Sequence, residues 1–340
     1  MRIFAAVKTQ RLALILCWSV IAIGALHAQP ADWEALVREG DAALASNDFG
    51  KAAEMFEGAV ALGSTLPDSD PRKAQALMRL ARAHRAEGDL ARPEDLYRQA
   101  EQPAEAAWGR ESAEYGSFLN EVGRYYHRRR KLETAERFYL DGFGVRVRVL
   151  GKDHPDVAQS IVNLAVLYEN QSRNEKAETY YRTALEIRER VLGPADLRTV
   201  ETKEHFARLL HGMQRHDEAS KLEQEARTAR APLLAQIAGE RVEMQAMPIS
   251  EVNRPPELVE RTEPEYTEEA FIGRTQGSVA IHVEIDTEGI PRNLQVVRPL
   301  GLGLDEQALT ALKSWRFRPA REDGAAVACR VTYEINFSLF

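Results

Sequence analysis

HPDVAQSIVNLAVLYENQSRNEKAETYYRTALEIRERVLG, residues 154–193, is the cleanest copy of a unit that recurs along the chain. Sliding the sequence against itself by 42 residues superposes Gly109, Gly151 and Gly193. The same shift superposes Tyr97, Tyr139 and Tyr181, and Tyr126 on Tyr168. It also aligns Leu80-Ala81, Val122-Gly123 and Leu164-Ala165, and it sets Ala207 on Ala165. A fixed period of this size means a solenoid, in which no single repeat buries its own apolar face and neighbours must stack. Small residues fall where two helices approach closely, and aromatics fill the space beside them.

This unit resembles the long tetratricopeptide repeat of the kinesin-light-chain type, which implies a helix-turn-helix module of the protein-binding class. The resemblance runs from about Trp33 to Arg230, with a first unit around Asn47–Ala53, degenerate units near Leu80 and Val122, and a last one from Phe206 to Ala219. Flanking units are atypical because each has a face without a neighbour. With Ala158 as first residue of its helix, the inner groove receives Gln75, Met78, Arg82 and Arg85, then Ser117, Asn120, Arg124 and His127. Gln159, Val162, Val166 and Glu169 follow, then Glu201, Glu204, Arg208 and His211. Arginine therefore recurs at one position as Arg82, Arg124 and Arg208, in a chain that is acidic overall. Two readings of that row stand: good helix formers on a wet face, or a basic groove gripping an acidic or carboxylate-ended peptide. Asn163, one residue off the row, matches an asparagine that contacts ligand backbone in similar repeats. The basic run His127–Lys131 reads as a solvated helix end.

The last quarter has a different period. Val279, Ile281, Val283 and Ile285 alternate with polar neighbours, as in a strand with one buried face. Asp286-Thr-Glu-Gly289 makes a hairpin turn into Leu294, Val296 and Val297. Leu304, Ala308, Leu309, Leu312 and Trp315 return to helical spacing, with Asp305 placed as N-cap. A third strand alternates Cys329, Val331, Tyr333, Ile335, Phe337 and Leu339 against polar residues. One helix face over one sheet face is a two-layer α+β domain. Gly277-Ser-Val, Ile285–Gly289, Gly303-Leu-Asp305, Trp315-Arg-Phe317-Arg-Pro319 and Asp323-Gly324, in this order, resemble the C-terminal domain of the TonB energy-transducer family. The family's Tyr-Pro pair before its first helix is absent, since Thr267 follows Tyr266. In TonB the strand resembling Arg330–Asn336 pairs with a short segment of an outer-membrane receptor. The resemblance thus implies a peptide-accepting edge made of Arg330, Val331, Thr332, Tyr333, Glu334, Ile335 and Asn336. The alternatives are an edge covered by the preceding linker or paired with a second copy.

The expected architecture is an all-α tetratricopeptide solenoid followed by a small α+β domain. Arg2, Lys8 and Arg11 precede an uncharged run from Leu12 to Leu26, with Leu26-His-Ala28 as a cleavage site. The run is short against the ~20 apolar residues of a spanning helix. Residues 1–28 are therefore expected to be a cleaved signal, with a retained anchor as the alternative. Repeats at 29–230, a proline-interrupted linker at 231–255 with room for one more helix from Leu233 to Gln245, and the last domain at 256–340 complete the division. Pro255-Pro256 sets semi-rigid spacing before that domain.

A net charge of -7 argues against a nucleic-acid binder. Of the two cysteines, Cys17 lies in the leader and Cys329 reads as a small core residue, so no internal disulfide is expected. Phosphate loops, nucleophile elbows, His-Glu-x-x-His and Cys-x-x-Cys do not occur, and His205 and His211 are too far apart in sequence to share a metal on one helix face. The sequence points to no catalysis, no metal and no cofactor. Its combined reading is a periplasmic adaptor, binding one protein in the repeat groove and another by strand addition. The rival is a TonB-type energy transducer, which would keep its first helix and the family's Ser-x-x-x-His face. Ser19 is present, but Ile23 stands at the histidine's place.

Overall fold

A computed structural model describes residues 32–89 and 91–339. The expected leader, with Cys17, lies outside the described residues. The chain forms two compact units, one ending at Gly109 and the other running from Arg110 to the C-terminus.

The first unit holds α1 (Trp33–Ala45), α2 (Phe49–Ser64), α3 (Pro71–Glu87) and α4 (Arg92–Trp108). Asp32, Asp48 and Asp70 each accept a backbone N–H in the first turn of the helix that follows, where four donors lack intrahelical partners. Ala43, Ala52, Phe56, Leu80 and Ala83 form its core. A Cβ on Gly40 would lie 2.5 Å from the Phe56 ring, so glycine sets how closely α1 and α2 pack.

The second unit continues with α5 (Ala113–Arg128), α6 (Leu132–Leu150), α7 (Pro155–Asn170), α8 (Asn174–Val191), α9 (Leu197–Gly212) and α10 (His216–Ala238). Gly123 faces Tyr139 as Gly40 faces Phe56, and a Cβ there would meet the ring at 2.5 Å. Tyr139, Tyr168 and Tyr181 are fully buried against Leu164, Ala165, Ala207 and Leu210. Gly109, Gly151 and Gly193 all have positive φ, which explains why one residue type holds that loop position in successive units.

Helix α10 runs through Pro232, and Leu234, Ile237 and Ala238 at its end pack on the core of the C-terminal domain. The segment expected to be a linker thus begins inside a helix. The chain then extends through β1 (Met247–Pro248) and β2 (Glu257–Glu260) to α11 (Glu268–Ile272).

The C-terminal domain adds β3 (Gly277–Ile285), β4 (Pro291–Arg298), α12 (Leu304–Ser314), β5 (Arg316–Arg318), β6 (Ala320–Glu322), β7 (Ala325–Val327) and β8 (Cys329–Phe337). Its main sheet has the order β1-β8-β3-β4, with β3 antiparallel to both long neighbours. Asp286 Oδ1 accepts the N–H of Glu288 and of Ile290 and fixes the hairpin turn. Leu304, Ala308, Leu309 and Leu312 of α12 cover the apolar face of the sheet, giving the expected two layers. Trp315 donates Nε1–H to the Thr262 carbonyl at 2.8 Å, and Trp315, Phe317 and Tyr333 form one aromatic cluster.

Asp305 does not cap α12. Gly303, in the left-handed region, leads into the helix, while buried Asp305 accepts from Leu300 N and Gly301 N and ties down the loop before it. Cys329 is buried, and burial pushes its thiol pKa up.

Candidate protein-binding surfaces

The second unit carries an inter-repeat clamp that recurs with the 42-residue period. Buried Arg146, on α6, donates to the Asp156 carbonyl, to Ser160 Oγ and to Ser117 Oγ at 2.9–3.0 Å. Its counterpart on α8, Arg188, donates to the Arg198 carbonyl, Thr202 Oγ1 and Gln159 Oε1 at 2.5–2.6 Å. Each partner of the first clamp lies one period before its equivalent in the second. A guanidinium with five donors in a fixed fork can satisfy a carbonyl and two side-chain oxygens at once. It thereby joins the second helix of one repeat to the first helix of the next.

Arg230 is the third member of the series, on α10, where no further repeat follows. It grips Glu204 through Nε and Nη2 at 3.0 and 2.8 Å, and its Nη1 pairs with Glu306 in the first turn of α12. Glu204 also accepts the Leu302 N–H at 2.8 Å. The C-terminal domain thus occupies the end of the array where another repeat would stack.

The same domain reaches into the concave face through α11. Arg124 Nη2 lies 3.1 Å from Glu269, and its Nε lies 3.7 Å from Glu268. Burial opposes the charge on Arg124, but the Glu268 and Glu269 carboxylates hold it above the ordinary guanidinium range. Arg128 pairs with Glu268 at 3.2 Å and lies 3.6 Å over the Phe271 ring, a cation–π contact. Ile272 packs against the repeat core, and its carbonyl accepts from Asn170 Nδ2 at 3.0 Å. The same Asn170 amide reaches His127 Nε2 at 2.7 Å, so that nitrogen accepts and the ring is neutral. Burial, then Arg130 and Arg124, push His127 down to about 3. Arg208 binds Glu169 through Nε and Nη2 and gives Nη1–H to Thr275 at 2.9 Å. Gly273 permits this fit, since a Cβ there would lie 2.6 Å from Arg208 Nη1 and 3.0 Å from His205 Cε1.

Two members of the expected arginine row, Arg124 and Arg208, thus meet one segment of their own chain. Arg82, the third, is exposed on α3 of the first unit. Asn120 is buried, donating to the Gly116 carbonyl at 3.1 Å and accepting from Asn163 at 3.2 Å, so the two asparagines face each other. Within the basic run His127–Lys131, whose charge pattern reads as a solvated helix end, His127 is buried and Arg128 contacts α11. The run's charge pattern could not reveal this, because its partners come from the other end of the sequence. The clamp arginines do carry a signal in the sequence, since the shift that aligns the glycines also aligns Arg146, Arg188 and Arg230.

The other surface is the edge of β8. Met247 and Pro248 pair in parallel with Cys329 and Arg330, through a bond from Met247 N to the Ala328 carbonyl. By the period of two, Thr332, Glu334 and Asn336 turn their backbone N–H and C=O groups to the same outer side. No strand pairs with that side of β8 beyond Arg330 among the described residues. The polar side chains are tied to β3 and β4 instead. Arg330 meets Glu284 at 2.9 Å, Thr332 meets His282 at 2.6 Å, and Glu334 meets Arg298 at 2.7 Å.

Stacked helix pairs followed by this two-layer domain define a repeat protein of the protein-interaction class with a TonB-like C-terminal domain. Tetratricopeptide-repeat family models match residues 23–67, 37–111, 114–181 and 158–231. The family described as Gram-negative bacterial TonB protein C-terminal matches residues 262–339. Protein TonB of Xanthomonas campestris pv. campestris (strain B100) is 32% identical over 77 residues, 22% of this chain and 34% of that protein. Protein TonB of Vibrio cholerae serotype O1 is 32% identical over 89 residues, 26% of this chain and 36% of that protein. The chain therefore spans about a third of the length of the curated relatives it matches. Among solved structures, BtubC (BKLC) from P. vanneervenii is similar with a TM-score of 0.53 at 21% identity, over 70% of this chain and 92% of that one. A Podosopora anserina structure of kinesin-light-chain, nearly identical TPR-like repeats gives 0.53 at 19% identity, over 61% of this chain and 98% of that one. At these identities the likeness establishes the fold.

Proposed function

We propose that this chain is a non-catalytic adaptor of the periplasm, holding one protein on the concave face of its repeats and a second by strand addition at its C-terminal domain. The observation that carries the reading is the edge of β8 from Val331 to Phe337, a long strand whose outer backbone groups have no strand partner among the described residues. Such an edge is a template for an extended peptide: main-chain bonds supply affinity and alternate side chains supply selection. Burying one such strand adds several backbone hydrogen bonds of about 1 kcal/mol each. The likeness to TonB proteins supports an outer-membrane receptor segment as the peptide.

The test is a panel of extended peptides from receptor N-termini, measured by fluorescence polarisation against the exported protein. Thr332→Pro and Glu334→Pro remove outward-facing N–H groups without breaking the ladder to β3. Each is expected to weaken capture at least ten-fold while the melting temperature stays within a few degrees. Unchanged capture by both variants rejects strand addition. Loss of iron-siderophore uptake on deletion of the gene would instead favour an energy transducer.

A further inference from the structure

The concave face of the second unit is occupied by residues of its own chain, and the occupant has the chemistry that the arginine row fits. Thr267 caps α11, Glu268 and Glu269 pair with Arg128 and Arg124, Phe271 lies under the Arg128 guanidinium, and Ile272 packs against the apolar repeat core. Asn170 reads the backbone at the Ile272 carbonyl, and Gly273 lets the chain pass within contact of Arg208 and His205. Charge pairs, an aromatic contact, an apolar anchor and a backbone bond converge on one turn. That is the composition of a helix-in-groove peptide contact, delivered here within one chain.

We infer that residues 267–275 are an internal ligand, and that the groove's external partner is a protein presenting a helical turn with two adjacent acidic residues and an aromatic three positions after the first. Binding of that partner and seating of α11 exclude each other, because both use Arg124, Arg128 and Asn170. Partner capture therefore lifts α11 out of the repeats and loosens the C-terminal domain on that side. The Arg230–Glu306 pair, the Leu302 bond to Glu204 and the packing of Leu234 and Ile237 remain. This rests on the concave face being a partner site and is independent of the β8 edge.

The probe is a fluorescein-labelled peptide of residues 265–276, EYTEEAFIGRTQ, titrated into the full exported chain. Wild type, with its groove filled, should bind weakly. The doubly substituted variant Glu268→Lys, Glu269→Lys empties the groove and should bind the peptide at least ten-fold more tightly. Adding Arg124→Glu and Arg128→Glu should abolish that gain, and a peptide carrying Phe271→Ala should lose at least five-fold. The neutral pair Glu268→Gln, Glu269→Gln serves if charge reversal unfolds the chain, and should give the same order with a smaller gain. Peptide affinity no higher in either emptied variant than in wild type overturns the inference. Proline substitution in β8 should not alter any of these affinities, which separates failure here from failure of strand addition.

Discussion

Arg230 is a charge taken almost entirely out of water and held by two carboxylates, Glu204 and Glu306. Breaking such a pair from one side leaves the other charge buried and unmatched, which costs about 3–5 kcal/mol. Arg230→Ala is therefore expected to lower unfolding free energy by roughly 3 kcal/mol in urea melts, by this mechanism. Arg188→Ala should cost less, because the three groups its guanidinium bonds are a carbonyl, a hydroxyl and an amide, all neutral, so no directly paired carboxylate is left behind. Glu201, nearby on α9, is pushed up to about 7, first by burial and then by repulsion from Glu269, with Arg230 and Arg188 opposing and Glu204 adding to it. Between its unfolded value near 4.5 and about 7, folded Glu201 keeps a proton that the unfolded chain has released. Its contribution is thus complete below the unfolded value and is lost as pH rises through the folded one. Glu201→Gln should raise stability at pH 8 by on the order of 1–3 kcal/mol and leave it nearly unchanged at pH 4–5, as read from paired thermal melts.

At the scale of the helix pair, glycine against aromatic sets the spacing. Gly123→Ala places a methyl 2.5 Å from the fully buried Tyr139 ring. The expected loss is about 1–3 kcal/mol by overpacking, measured in the same urea melts. This complementarity was legible in the sequence, since a fixed shift superposes the small residues and the tyrosines and each packs only on its neighbours. The strands of the last domain were legible for a similar reason, their period of two surviving without knowledge of any partner. Asp305 was not, because an acidic residue at the head of a helix reads as a cap whether it faces the helix or the loop. The arginine row was legible as a groove but not as a filled one. Glu268 and Glu269 sit about 140 residues from Arg124 and Arg128, and nothing periodic links them.

At the scale of the molecule, repeats need a polar or covered outer face at each end of the stack, because a terminal repeat exposes the surface that its missing neighbour would bury. In the second unit the C-terminal domain covers that face. Leu234 and Ile237 of α10 pack against its core, the Leu302 N–H bonds to Glu204, and Glu306 completes the Arg230 clamp. If that domain only hung from the repeats, ending the chain after Ala238 would leave the melting of the repeats unchanged. As a cap, its loss bares two apolar side chains and leaves Glu204 with one fewer donor, for a cost of a few kcal/mol. For a unit of this size that lowers the helical melting transition by roughly 5–10 °C. Circular dichroism at 222 nm on the truncated and the full chain gives the comparison. A transition in the truncated chain within about 2 °C of the full chain's would show that the repeats close their own end.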